Sequence, residues 1–436
     1  MNTILLLIVL LLYTTYIHAL PTNNDNNNDD DKIITLDYQL FLNALSVFIK
    51  VGSNKEILIF TIDTESPHSR ISDYLFIGGS SSCKEHGNIT FTLPTGTITA
   101  ELVEETLIIE DPLWLEVIAE VPGFYFGIVK TQDVVITDSS VLAFAFNVDK
   151  DNYSLVHLYK QEGIINKKQF GIYSNKDIIY GDTTSKGGVA YIGGFPINIT
   201  NSLYENAIHV VNSGKYNYWS VPLQYVFIGE ISYMYTNKYY EVNTISYVST
   251  AREDIVVPKQ FYQEYIVNYY FKEAFVNNVC VLKNHTDYTV TCQCEYITSF
   301  DSVSLVINGK DYVIESKYLF KRLETACTFI ISQHVDEDDN SWILGVYFIW
   351  QYQTLFDYDG KRVVLYSDKE INNVDLNALF PGKKIFKTFM IMISIIIIIS
   401  ISCGVIRYIK RRKLRKMRKM NNVMKTFYKK INDDNV

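Results

Sequence analysis

Val47-Phe-Ile-Lys-Val-Gly-Ser-Asn-Lys-Glu56-Ile-Leu-Ile-Phe-Thr-Ile62-Asp63-Thr64-Glu65-Ser66 reads as strand, turn, strand, and then a polar loop opening on an aspartate. The same texture runs outward from about residue 37 to about 380, with short β-rich runs bounded by Gly, Asn and Asp. Ser46-Val-Phe-Ile-Lys-Val, Gly187-Gly-Val-Ala-Tyr-Ile-Gly-Gly and Val303-Ser-Leu-Val-Ile are examples. Branched apolar residues alternate there with polar ones at period two, the pattern of half-buried antiparallel strands. A helix is expected after Pro258, with Phe261, Tyr265, Ile266 and Tyr269 on one face at helical spacing. An aromatic stripe of that kind is a core face. At 436 residues, 48% hydrophobic and 20% charged, the chain can fill one large domain or two lobes.

Further segments give the aspartate loop its meaning. Thr95-Gly96-Thr-Ile-Thr-Ala-Glu-Leu has the form of a hairpin and its following strand, and Gly187–Gly194 precedes Tyr218-Trp219. Ser246-Tyr-Val-Ser249-Thr250-Ala251-Arg-Glu-Asp-Ile-Val-Val-Pro258 repeats the strand-to-loop form of the first segment. Trp342-Ile-Leu-Gly345 and Tyr352-Gln-Thr-Leu-Phe-Asp357-Tyr-Asp-Gly-Lys-Arg close the series. In this order, over about residues 44–366, the segments resemble the pepsin-like aspartic protease family: first Asp-Thr-Gly loop, flap, second Asp-Thr-Gly loop, and the Leu-Gly pair beneath that loop. The resemblance implies a mostly β, bilobal pepsin-like fold, with two six-stranded-barrel-type lobes about a cleft for an extended peptide. The N-terminal lobe would cover 37–205 and the C-terminal lobe 206–380. It also implies a Cys294–Cys327 disulfide; Cys280–Cys292 is a plausible extra loop, which leaves Cys83 over.

The family's hydrolysis uses two carboxyls sharing one proton, one acting as acid and the other activating water. Here the first position is Asp63, but the second is Ser249, a hydroxyl that neither ionises near working pH nor raises a partner's pKa. Other departures accompany it. Glu65 and Ala251 stand at the two loop glycines, Leu93 at the flap tyrosine, Arg70 at a tryptophan position, and Ser139-Ser-Val-Leu-Ala143 where Asp-Gly-Ile-Leu-Gly is usual. Thr64 and Thr250, which in the family tie the loops together, are kept. Glu253 and Asp254 are expected to turn away towards Pro258. Glu65 leaves the same strand end as Asp63 and is expected to approach from the wrong side. No nucleophile elbow accompanies the histidines, and His68 is expected on a surface loop.

The ends carry targeting signals. Residues 1–19, with the apolar run Ile4–Tyr13 and Ala19, read as a signal peptide, and 20–36 as an Asn/Asp-rich linker too short for a long inhibitory prosegment. Thr388–Ile406 is an uncharged apolar run of bilayer-spanning length, read as a transmembrane helix. Residues 407–436 hold a formal +10, so residues 1–406 carry −18 of the chain's −8 total. The bias predicts a single-pass type I topology, with a cytoplasmic tail and an extracellular or lumenal ectodomain, secretory or endolysosomal. An ectodomain of −18 argues against nucleic-acid binding. Sequons at Asn88, Asn152, Asn198 and Asn284 suit that compartment. No Cys/His spacing suits zinc, and neither metal nor cofactor is expected.

Three functions remain open. The leading expectation is a catalytically silent, membrane-tethered protein binding a peptide or protein in the interlobe cleft. The alternatives are an active acid endopeptidase with modified loops, and a structural or adhesive surface glycoprotein. The sequence specifies no oligomeric state.

Overall fold

The computed structural model describes residues 32–433, apart from 42–43, 74, 76–79, 94–95, 111–116, 130–139, 147–153, 175–186, 212–217, 230, 232–237, 284–288, 324–325, 336–338 and 376–380. The expected signal peptide, Thr95, Asn152 and Asn284 therefore lie outside the described residues, as does the side chain of Asn198. Asn88 is exposed on the strand Lys84–Leu93. One compact unit runs to Val374 and a second holds Asp375–Val436.

The first unit is built from strands, as the period-two patterning requires. Six antiparallel strands, Tyr204–His209, Arg362–Ser367, Thr354–Asp357, Gln169–Tyr173, Gly187–Ile192 and Ile34–Phe41, join the two halves of the sequence. This sheet continues without a break into the first half through Ala44–Val51 and Glu56–Asp63, then Ser140–Ala143, Arg70–Ser72 and the long hairpin strands, making 13 strands in all. The second half adds a seven-stranded sheet and a four-stranded one. The described strands are thus not two six-stranded barrels: the first lobe's strands share one ladder with the sheet that bridges the lobes.

Two expected boundaries shift for the same reason. Ile34 and Leu36, placed in the polar linker by composition, are buried in a strand whose Ile34 pairs with Ile192. Tyr204–His209 straddles the expected lobe boundary because it completes the bridging sheet against Arg362–Ser367.

One continuous core runs through both halves, from Ile34 to Leu365. Its buried indoles find acceptors: Trp219 Nε1 donates to the Phe144 carbonyl at 2.8 Å, and Trp350 Nε1 to the Tyr38 hydroxyl at 2.8 Å. Phe170 stacks on Phe356, packing one half of the sequence against the other. The four-stranded sheet carries both disulfides, Cys280–Cys292 and Cys294–Cys327, while Cys83 keeps a free thiol.

The helix after Pro258 departs from the expected α-period. It is an α-turn followed by a π-helix over Tyr262–Tyr270, with the Phe271 amide donating to the Ile266 carbonyl five residues back. Five-residue spacing puts Phe261, Ile266 and Phe271 on the buried face, and Tyr269 turns out to solvent.

In the second unit a single helix spans Pro381–Asp433 and includes Thr388–Ile406. The side chains of residues 381–391, 400, 403–404, 407, 423 and 425–433 lie outside the described set. Among the described residues, no helix is long and apolar enough to cross a membrane.

Candidate active site

The two loops are presented by matching pieces of backbone. Glu56–Asp63 runs parallel to Ser140–Ala143, pairing Ile62 with Leu142 and Asp63 with Ala143. Lys238–Val248 runs parallel to Trp342–Leu344, pairing Val248 with Leu344, and the Ser249 amide donates to the Leu344 carbonyl at 3.0 Å. Beneath the second loop Gly345 has no room for a side chain: a Cβ there would lie 2.1 Å from the Asp254 carbonyl oxygen and 2.6 Å from that of Arg252. The position is glycine because the loop backbone lies directly on it.

The two threonines hold the loops together reciprocally. The Thr64 amide donates to Thr250 Oγ1 at 3.1 Å, and the Thr250 amide to Thr64 Oγ1 at 2.9 Å. Each hydroxyl donates across to the other strand, Thr250 Oγ1 to the Ile62 carbonyl at 2.7 Å and Thr64 Oγ1 to the Val248 carbonyl at 3.3 Å. Both threonines are fully buried, so these bonds are made away from competing water.

This grip brings Asp63 and Ser249 to equivalent places. Asp63 Oδ1 accepts from the amides of Glu65 at 2.7 Å and Ser66 at 3.1 Å, which fix the carboxyl against its own loop. Ser249 Oγ accepts from the Ala251 amide at 3.1 Å, the same two-residue relation that links Glu65 to Asp63. The second loop thus keeps the shape that would seat a carboxyl, with a hydroxyl in its place.

Glu65 does not take the direction expected from the sequence. Its carboxyl crosses between the loops, and Ser249 Oγ donates to Glu65 Oε1 at 2.5 Å. The loop backbone leaving Asp63 turns, and the close approach of the second loop supplies the hydroxyl that receives the side chain. Burial raises the Glu65 pKa above the ordinary carboxylate value, and the Asp63 charge raises it further; Arg252 and the Ser249 hydrogen bond pull the other way. The site therefore holds the Asp63 carboxyl, fixed by two amides, and, two positions later, the Glu65 carboxyl with its pKa raised.

The surroundings add Arg70, at the family's tryptophan position, and His68. Arg70 Nη1 donates to Ser66 Oγ at 2.8 Å; burial lowers the guanidinium's pKa and the Asp63 charge opposes that. His68 is buried, not on a surface loop, and its carbonyl accepts from Ser66 Oγ at 3.0 Å. Glu253 and Asp254 are committed elsewhere. Lys321 Nζ reaches Glu253 at 2.9 Å and Asp254 at 3.4 Å, and the Tyr347 hydroxyl donates to Glu253 at 2.9 Å. Burial pushes Asp254 up to about 6 despite the Lys321 charge. The hairpin Lys84–Leu93 and Gly96–Glu110 pairs Leu93 with Gly96 at its tip; the Leu93 side chain lies outside the described residues.

Known proteins agree with this construction. The family model for eukaryotic aspartyl protease matches residues 47–367. The chain is 25% identical over 234 residues to plasmepsin VII of Plasmodium berghei (strain Anka), covering 50% of this chain and 46% of that protein. It is 24% identical over 209 residues to cathepsin D of Mus musculus, covering 47% of this chain and 45% of that protein. It thus spans about half the length of the curated relatives it matches. The crystal structure of aspartic proteinase from Irpex lacteus superposes with a TM-score of 0.59 at 12% identity, over 77% of this chain and 97% of that one, a likeness of fold. With both loops, their threonine grip and the matched span in place, the chain belongs to the eukaryotic aspartyl protease family.

Proposed function

We propose that this is a membrane-tethered peptide-binding member of the family, without the two-aspartate hydrolysis. The observation that carries the reading is Ser249: the second loop offers a hydroxyl, already bonded to Glu65, where the reaction needs a carboxyl facing Asp63. General acid–base assistance contributes about 10²–10⁴-fold, and losing one of a cooperating pair removes most of it. The threonine grip and the sheet joining the halves are intact, so the frame that would hold an extended peptide remains.

The anchor in this reading is Thr388–Ile406. Its isoleucines Ile395–Ile399, Ile401 and Ile406 are exposed along a helix that runs on into the basic tail, which suits a lipid-facing span with the tail in the cytoplasm. The ectodomain would then face an extracellular or lumenal space, where two disulfides are stable.

The test uses the full chain in detergent, incubated with denatured protein from pH 3 to 7. Peptides should be retained and recovered intact by mass spectrometry. Pepstatin-sensitive fragments that vanish in Asp63→Asn would sink the reading. One observation favours a second reading, an acid endopeptidase: the Glu65 carboxyl has entered the site beside Asp63. That reading requires cleavage lost in both Asp63→Asn and Glu65→Gln.

A further inference from the structure

We infer that Glu65 is the group that decides whether the cleft accepts a peptide, donating a hydrogen bond to a peptide backbone carbonyl when it is protonated and repelling that carbonyl when it is not. The inference rests on the peptide-binding reading above and assigns its pH dependence to one side chain.

The geometry carries it in three steps. Glu65 Oε1 is held by the Ser249 hydroxyl, so the carboxyl is fixed between the loops and not free to swing away. The residue as a whole is half-buried, while its carboxyl is the part that burial reaches. Asp63 beside it is already engaged through Oδ1 as the acceptor of two backbone amides. A peptide carbonyl entering between the loops is itself an acceptor, and it needs a donor. Ser249 directs its proton to Glu65, which leaves the acid form of Glu65 as the carboxyl that can supply one.

The charges around Glu65 give the sign. Asp63, at the end of its own strand, opposes ionisation, whereas Arg252 on the facing loop is exposed and favours it. Arg70, on the neighbouring strand, acts through Ser66 and the Asp63 charge. Burial and Asp63 outweigh Arg252, so the proton is held above the ordinary carboxylate range. A bound peptide accepting that proton's hydrogen bond stabilises the acid form further, and binding takes up about one proton. Affinity then falls as pH rises through the Glu65 pKa of the free protein, by about tenfold per pH unit for one linked proton. Such a cleft captures peptide in an acidic compartment and releases it towards neutrality.

The experiment measures fluorescence anisotropy of a labelled, uncharged hydrophobic octapeptide, acetylated and amidated at its ends, against the full chain in detergent from pH 4.5 to 7.5. The probe has no titrating group, so the pH dependence belongs to the protein. Wild type should bind at least ~10-fold more weakly at pH 7.5 than at pH 4.5. Glu65→Gln, which keeps an acceptor for Ser249 and a permanent N–H donor, should bind at pH 7.5 as wild type does at pH 4.5, with a flat profile. Glu65→Ala should bind weakly and without pH dependence, circular dichroism verifying that each variant is folded. A flat wild-type profile, or a Glu65→Gln profile as steep as wild type, overturns the inference and leaves peptide binding standing. No binding at any pH overturns both. Cleavage of the probe overturns catalytic silence alone, since the pH profile of capture is read separately.

Discussion

The Asp63 loop and the Ser249 loop are near-copies in backbone and opposites in chemistry. Each leaves a strand that runs parallel to a short partner, each carries a threonine that bonds the other, and each seats its leading side chain on the amide two residues on. Yet the first presents two carboxyls, Asp63 and Glu65, and the second none at its tip. The frame and the reacting groups thus differ separately from the family pattern within one site. The bonds that fix backbone geometry are buried and cooperative, so changing them endangers the fold. The tip side chains can change at little cost in stability.

The largest test of the comparison lies beneath the loops. Gly345→Ala drives a Cβ into two carbonyl oxygens of the second loop and should cost about 3 kcal/mol or more, read as a fall in thermal unfolding midpoint. Ala143→Gly, at the matching position under the first loop, should cost about 1 kcal/mol.

Next comes the buried charge cluster that only the second loop has. Asp254 titrates near 6 when folded, above the ordinary 3.8, so the folded state holds its proton over that interval and the unfolded chain does not. Stability from this group is therefore greatest in acid and declines as pH rises from about 4 to about 6, by about 2–3 kcal/mol. Asp254→Asn should flatten that decline in chemical unfolding measured at pH 4, 5 and 6.5; an unchanged slope would assign it to other groups.

The third test is the grip itself. Thr64→Val and Thr250→Val should each cost about 2 kcal/mol by stranding buried amide and carbonyl groups. Because the bonds are reciprocal, the double variant should cost clearly less than the sum. Strict additivity would mean that the two loops are held independently.

What could be read before the structure follows the same division. The strand patterning, the threonine pair and Gly345 are legible because backbone period and tight packing leave their mark on residue type. The direction of Glu65 was not legible: the hydroxyl that receives it is 184 residues further along, and only the docking of the two loops brings them together. His68 was misplaced on the surface for a related reason, since a polar residue in a loop looks the same whether the loop is exposed or roofed over. Of the face expected after Pro258, Phe261 and Ile266 are buried but Tyr269 turns out, because a π-turn changes the period without any glycine or proline to announce it. The lobe boundary moved because strand pairing across the molecule, which composition does not record, decides where each half ends.

The central claim is that position 249, with Glu65 beside it, is what separates this site from hydrolysis. The most direct test compares acid proteolysis by the wild-type chain with that of the Ser249→Asp, Glu65→Gly double variant, using Asp63→Asn as the blank. The account predicts that wild type matches the blank and that the double variant gains pepstatin-sensitive cleavage, by at least ~100-fold over it. Wild type cleaving as fast as the double variant, or a double variant as inert as the blank, would contradict it.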